Sequence, residues 1–330
     1  MNVRRKTTIH RIGLFLLLAF SALFALGESK PRVFQLSGKV VESDGKPFRF
    51  VGLVLFSANT PFMVRTRADA GGDFKFKGLL PGTYNLYALD ARIGEIEETI
   101  EVGASFADEK GRINRTIVFD RAKAVPPRHG ISVASLSVPS NARNEYIAAL
   151  SLAQKRDYQG AAKRLKHAVE IAPQFAAAWN YLGTISFQTG VFPEAERYFR
   201  EALRQDGSAL DPLVNLGGAL LALRRYEEAL EMNLQAVKLR PNDALALAQL
   251  GESYFYLDRL EEAEIHLKQA KTLDPGHFSL PQLVLAVIYR KRGNYPAAIS
   301  ELEEFLNLHP DSPMVAYAKK ELTALHSLSK

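Results

Sequence analysis

A histidine and a glutamate three positions apart are the residues of this chain best placed to do chemistry. His167 and Glu170 could both reach one zinc ion from adjacent turns of a helix. A catalytic zinc, however, needs three protein ligands around one open position. Five of the other six histidines are scattered through predicted linker, helices and turns: His129, His266, His277, His309 and His326. We therefore predict no metal site and no cofactor, and zinc hydrolysis is the least favoured interpretation.

Other kinds of catalysis have no better support in the sequence. The chain has no cysteine, which excludes disulfides, thiolate metal sites and a cysteine nucleophile. The motifs G-x-S-x-G, H-E-x-x-H and G-x-G-x-x-G and the Walker loop are absent. The acidic pairs at 227–228 and 261–262 fall at predicted helix starts, where negative charge stabilises the helix dipole. We predict that the protein is not an enzyme.

Small residues and prolines recur every 34 positions through the C-terminal half of the chain. A period of this length is typical of stacked helical hairpins. Small residues let neighbouring helices approach closely, and a proline ends the second helix of a hairpin. The recurring residues are Ala161, Ala195, Ala229 and Ala263; Ala168, Ala202, Ala236 and Ala270; Gly183, Gly217 and Gly251; and Pro173, Pro241 and Pro275.

The segment 178–183, Ala-Trp-Asn-Tyr-Leu-Gly, continues through Ala195, Phe199 and Ala202 and resembles a tetratricopeptide repeat. The resemblance implies an all-α solenoid that binds a protein or peptide partner. We predict five repeats, followed by a capping helix at residues 313–327. The predicted repeats cover 142–175, 176–209, 210–243, 244–278 and 279–312. One extra residue between 276 and 281 predicts a longer turn before the fifth repeat.

Residues 31–120 alternate between apolar and polar with period two and predict about seven short strands, one of them, near residues 50–56, buried on both faces. Residues 38–41 (Gly-Lys-Val-Val), 44–47 (Asp-Gly-Lys-Pro), 73–76 (Asp-Phe-Lys-Phe) and 80–84 (Leu-Pro-Gly-Thr-Tyr) resemble the carboxypeptidase regulatory-like, or transthyretin-like, family. The expected Asp-Gly pair before the third motif is displaced. The resemblance implies an all-β sandwich that serves as a non-catalytic accessory domain.

The N-terminus predicts export. A basic segment precedes an apolar run of 15 residues, 12–26, so that residues 1–27 read as a signal peptide. An uncleaved membrane anchor is the alternative, although a bilayer span takes about 20 residues. Residues 121–141 are rich in Pro and Ser and predict a semi-stiff linker. An exported chain without cysteine suits a bacterial protein, periplasmic or secreted.

The net charge gives no reason to expect a nucleic-acid partner. The formal charge is +6, and removing the four basic residues before Glu28 leaves +2. A charge this small favours neither nucleic acid nor an anionic membrane surface, and no segment of the mature chain is apolar enough to span a membrane.

The resemblance to tetratricopeptide repeats also implies which residues line a concave groove, on the first helix of each repeat. The Lys and Arg cluster with which related proteins hold carboxylates is missing before Arg290, which leaves a groove of amides and aromatics suited to a peptide backbone or a partner helix. The alternative is that some of the aromatics pack between helices. The predicted groove residues are Tyr146, Asn180, Tyr181, Thr184, Phe187, Asn215, Gln249, Glu252, Phe255, Tyr256 and Arg290.

A second interpretation places recognition in the β-sandwich. Phe62, Tyr84 and Tyr87 would then stack on the sugars of a glycan or cell-wall polymer. The only tryptophan of the chain, Trp179, lies outside this domain, which weakens the interpretation.

Overall fold

The computed structural model of the protein describes residues 32–58, 60–122, 124 and 137–328. These residues form a β-sheet region, hereafter the β region, followed by a helical solenoid. They divide into two compact units, one holding residues 32–185 and 201–211 and the other holding 186–200 and 212–328. The predicted signal and most of the predicted linker, residues 125–136, lie outside the described residues.

Two sheets make up the β region. In the first, strand β1 lies between β4, which is antiparallel to it, and β7, which is parallel to it. The second sheet is antiparallel, in the order β3-β2-β5-β6. The strands agree with the period-two prediction to within a few residues. Their bounds are β1 Phe34–Glu42, β2 Gly52–Ser57, β3 Met63–Arg67, β4 Asp73–Leu79, β5 Gly82–Asp90, β6 Gly94–Val102 and β7 Arg112–Phe119.

The two sheets share one hydrophobic core. Phe76 and Phe119 of the first sheet belong to the same buried cluster as Ile100 of the second. Strand β2 was predicted to be buried on both faces, and this prediction is wrong. Only alternate residues of β2 are buried, because Phe56 points away from the core and packs edge-on against Tyr87, with ring centroids 5.5 Å apart.

Helical hairpins follow from residue 140. The alanines of the 34-residue ladder are fully buried, so the spacing seen in the sequence marks the close contacts between helices. A final helix extends the stack, close to the predicted capping helix. The helices are α1 Ser140–Gln154, α2 Tyr158–Ile171, α3 Ala176–Gln188, α4 Phe192–Gln205, α5 Leu210–Ala222, α6 Tyr226–Leu239, α7 Ala244–Tyr256, α8 Leu260–Leu273, α9 Pro281–Lys291, α10 Tyr295–Leu308 and α11 Val315–Leu328.

Side-chain caps set where several helices begin. Asp157, Asp243 and Asn294 each accept a hydrogen bond from a backbone N–H in the first turn of α2, α7 and α10. The connection between α8 and α9, residues 274–280, is longer than that between α6 and α7, residues 240–243. The extra residue in the sequence is accommodated there.

The turn inside each hairpin contains one residue in the left-handed conformation. The position is occupied by Arg156, Gly190, Arg224, Asp258 and Gly293, with φ between 60° and 80°. Glycine adopts this conformation without strain, whereas a residue with a Cβ is destabilised there.

We therefore expect Arg224→Gly to stabilise the C-terminal unit by about 0.5 kcal/mol, because relief of the strained φ outweighs the added freedom of the unfolded chain. Urea denaturation followed by circular dichroism measures the change. The matched control is Glu231→Gly, at an exposed position within α6, which should destabilise by about 1 kcal/mol. A loss of stability in Arg224→Gly would contradict the strain argument.

Candidate partner-binding groove

The predicted groove residues lie on the first helices of the hairpins, α1, α3, α5, α7 and α9. Residues 249, 252 and 256 of α7 follow the spacing i, i+3, i+7, which places them on one face of the helix. The predicted residues have very different surroundings in the two units.

In the N-terminal unit, the first hairpins are covered by the β region. The hydroxyl of Tyr181 donates a hydrogen bond of 2.8 Å to the backbone carbonyl of Pro61, in the connection between β2 and β3. Tyr146 packs against Phe175 and Tyr181, with ring centroids 5.1 and 6.3 Å apart. Burial raises the pKa of Tyr181. The Tyr181 hydroxyl is therefore bound by the chain itself, which corrects the prediction that Tyr181 is a groove residue that contacts a partner.

The turn between α1 and α2 holds the same part of the β region. The guanidinium of Arg156 donates to the backbone carbonyl of Gly78 at 2.9 Å and lies 5.6 Å from the ring centroid of Phe62. Tyr158 forms a side-chain hydrogen bond with Thr60. The β region and the first hairpin are thus in direct contact in this unit, in addition to being joined by the predicted linker.

Helix α3 contributes three further predicted residues. Thr184 is half-buried, and its hydroxyl donates to the backbone carbonyl of Asn180 at 3.1 Å. The Asn180 side chain is half-buried as well. Phe187 packs against Phe192, with ring centroids 5.4 Å apart. As the alternative interpretation anticipated, this aromatic ring contacts the next helix.

In the C-terminal unit, Asn215, Gln249, Glu252 and Tyr256 are all partly accessible to solvent. Phe255 differs, because it is 3% exposed and belongs to the hydrophobic core around α9. It is therefore a packing residue, which corrects its prediction as an anchor.

Arg290 and its neighbour Lys291 have partners within the chain. Arg290 forms an ion pair with Glu321, and Lys291 forms one of 2.8 Å with Asp258. Because both cations are paired within the chain, neither resembles a lysine or arginine that is available to bind the carboxylate of a partner. Arg290 is predicted from the sequence as a groove residue, and in the structure it pairs with Glu321 of α11.

Glu252 is the residue of this groove whose pKa lies near neutral pH. Burial raises the pKa of its carboxyl from 4.5 to about 7. Burial and the neighbouring Glu252 charge also raise the pKa of Tyr256. The groove therefore carries an acid that is easily protonated near neutral pH.

Gly218 belongs to this groove, and so does Tyr226, which was not predicted from the sequence. The ring of Tyr226 stacks on that of Tyr256, with centroids 4.6 Å apart and planes 13° from parallel. A Cβ at Gly218 would lie 2.8 Å from the side-chain nitrogen of Gln249, so glycine leaves room for that amide. The recurrence of aromatics at the first position of second helices, 158, 192, 226 and 295, was the available signal for Tyr226.

The possible zinc ligands are not assembled into a site. The Nδ1 atom of His167 lies 3.3 Å from Glu145, which also pairs with Arg164 at 3.1 Å. Within the described ranges, no three acidic or histidine side chains are grouped so as to hold a metal ion. His167 is part of a surface ion-pair cluster.

The aromatics proposed to stack on sugars are largely inside the β region. Phe62 and Tyr84 are buried and pack edge-on, with centroids 6.2 Å apart. Tyr87 is half-buried and donates to Glu97 at 2.6 Å. Phe62 and Tyr84 cannot stack on a glycan in this arrangement, which corrects that expectation.

The fold and its buried ladder define a protein with stacked helical hairpins. Residues 146–209 and 214–278 match one family model described as tetratricopeptide repeat, and residues 282–312 match a second. The solenoid therefore consists of tetratricopeptide repeats. In the part of the chain that the structure describes, no helix combines the length and the apolarity needed to cross a bilayer.

Several known proteins resemble the repeat part of the chain. The type IV pilus assembly protein PilF of Pseudomonas aeruginosa is 29% identical over 160 residues, covering 47% of this chain and 63% of the relative. The Hsp70-Hsp90 organising protein of Plasmodium falciparum is 32% identical over 101 residues, covering 30% of this chain and 39% of the relative. The chain thus spans less than two thirds of the length of these relatives.

A solved structure shares the fold of the solenoid. The structure of the APC/C hetero-tetramer Cut9-Hcn1 superposes with a TM-score of 0.51 at 21% identity, covering 59% of this chain and 38% of that one. At this identity the likeness concerns the fold alone.

Proposed function

We propose that the protein is a non-catalytic scaffold whose solenoid holds a peptide segment of a protein partner. The observation that carries the proposal is the polar face of α7, where the Gln249 side-chain oxygen is buried without a hydrogen-bond partner among the described residues. A buried acceptor left unpaired is unfavourable, and a donor from a peptide backbone or side chain would satisfy it. The relatives named for pilus assembly and chaperone organisation support a role in binding proteins.

The partner surface that we propose lies in the C-terminal unit. In the N-terminal unit, Tyr181 already donates its hydroxyl to Pro61 of the β region. In the C-terminal unit, Asn215, Gln249, Glu252 and Tyr256 retain access to solvent. We infer that a partner binds along α5 and α7, with the β region acting as an accessory domain.

Export and the identity of the β region are further parts of the proposal. The basic and apolar pattern of residues 1–27 supports a signal peptide, and the likeness to a pilus assembly protein supports a periplasmic or secreted location. The motifs at 38–41 and 80–84 support a carboxypeptidase regulatory-like, transthyretin-like fold. We do not propose glycan binding, since no observation favours it.

Photo-crosslinking in intact cells tests the scaffold proposal. A benzophenone amino acid at position 215 should crosslink a partner protein, whereas the same group at Ile265 should not. Ile265 is the control because it is 54% exposed on α8, a second helix that should face away from the groove. Absence of a crosslink at position 215, or equal crosslinking from both positions, would contradict a partner in the groove.

A further inference from the structure

The α7 face of the C-terminal unit carries a carboxylate with no cation. Within the described ranges, no hydrogen bond or ion pair reaches the side chain of Glu252. One turn earlier, the side-chain oxygen of Gln249 is buried and has no hydrogen-bond partner. Two neighbouring acceptors on one helix face therefore lack donors.

Three other partly buried acids of the unit each pair with a cation, which Glu252 does not do among the described residues. Glu301, with its side chain 9% exposed, binds Lys271 at 2.9 Å. Glu196 binds Arg225 at 2.7 Å, and Glu264 binds Lys268 at 2.6 Å. At these three positions the fold supplies a cation beside the carboxylate, in keeping with the high cost of an unpaired buried charge.

Aromatic rings lie beside the unpaired carboxylate. Tyr256, four residues after Glu252, lies on the same helix face, and Tyr226 stacks against its ring. The faces of tyrosine rings attract cations and pack against the aliphatic stems of lysine and arginine. The carboxylate and the amide oxygen can bind the cationic end of a basic side chain, and the aromatic rings can pack against its aliphatic stem.

Two cations of the described chain act close to this face, and neither forms an ion pair with Glu252. Lys291 lies 5.8 Å from the ring centroid of Phe255 and pairs with Asp258. The charge of Arg224 acts on Tyr226 and Tyr256, but burial is the sole cause of the raised pKa of Glu252. Among the described residues no cation pairs with Glu252, so a cation from a partner would neutralise it when it is ionised.

We propose that the partner presents a basic side chain, lysine or arginine, to this face. Its cation pairs with Glu252 and donates to the side-chain oxygen of Gln249, while its stem lies against Tyr256. The inference rests on the proposed function, which places a peptide in this groove, and it specifies the chemistry of that peptide. The polarity is opposite to that of a groove that clamps carboxylates through lysines and arginines.

A bead library of extended peptides with randomised positions provides the test. The full-length wild-type protein should retain peptides enriched in Lys or Arg at one position by about tenfold over Gln, the scale of a charge-assisted hydrogen bond. In Glu252→Gln this enrichment should disappear. The matched control, Glu231→Gln, removes the same charge from an exposed position on α6 and should keep the enrichment.

The outcomes separate this inference from the proposed function. Retained peptides without a preference for basic residues, or with a preference for acidic ones, would overturn the inference and leave the scaffold intact. A basic preference that survives in Glu252→Gln would overturn it as well. If the wild-type protein retains no peptide at all, the proposed function fails together with the inference.

Discussion

Replacing Glu252 with glutamine should make the protein more stable at pH 8, by about 2 kcal/mol, and leave its stability nearly unchanged near pH 4.5. Burial raises the pKa of Glu252 from 4.5 to about 7 in the folded protein. The folded state therefore binds more protons than the unfolded state between these values. The stability associated with this group is complete below pH 4.5 and is lost as the pH rises through 7.

Urea denaturation at pH 4.5, 6 and 8, followed by circular dichroism at 222 nm, measures this effect. Glu252 is the group expected to titrate here, because its neighbours Tyr226 and Tyr256 have pKa values raised above 10. Partial exposure of Glu252 to solvent limits the gain. The exposed control, Glu231→Gln, should change stability by less than about 0.5 kcal/mol at each pH. Equal stability of wild type and Glu252→Gln at pH 8 would show that burial does not destabilise the ionised carboxylate.

This result also bears on the proposed binding of a basic side chain. A glutamine variant that is as stable as the wild type or more so cannot lose peptide selectivity by unfolding. A loss of selectivity would then reflect the missing charge at the α7 face.

Replacing Gly38 with alanine should destabilise the β region by about 3 kcal/mol or more, because the added methyl group overlaps a backbone atom. Gly38 lies in β1 between Phe74 of β4 and Arg115 of β7. A Cβ at this position would overlap the carbonyl oxygen of Arg115, which cannot move without breaking the parallel pairing. Only glycine allows β1 and β7 to approach this closely.

Hydrogen exchange of the full-length protein, resolved on peptides from β1 and β7, measures the loss. The matched control is Gly52→Ala in β2, where a Cβ would make an ordinary contact of 3.6 Å with the carbonyl oxygen of Leu89. That variant should exchange much like the wild type. Unchanged protection of β7 in Gly38→Ala would show that the strands can shift to admit the methyl group.

The places where sequence reasoning misjudged the groove have a common physical origin. The register of the first helices follows from the ladder, and it places Tyr181 and Phe255 on the correct helices. Whether such a ring is open depends on what lies across from it. The β region covers Tyr181, and the core around α9 covers Phe255. Both contacts join segments far apart in the chain, and local periodicity carries no information about them.

Charge pairing follows the same rule. From the sequence, Glu252, Arg290 and Glu321 are charged residues on predicted helices, and nothing indicates which of them form ion pairs. The structure pairs Arg290 with Glu321 and leaves Glu252 without a cation among the described residues. The pairing depends on which helices stack beside each other and how far each side chain reaches. The residue spacing within one helix determines neither.

The sequence by itself determined the 34-residue repeat, the helices that it builds, the strands with period two and the absence of cysteine chemistry. These features follow from local periodicity and composition, because a buried face must recur with the period of its own helix or strand. Only the tertiary structure decided that the β region covers Tyr181 and that Glu252 on α7 has no cation among the described residues. Burial and electrostatics depend on contacts between distant segments, and those contacts exist only in the folded chain.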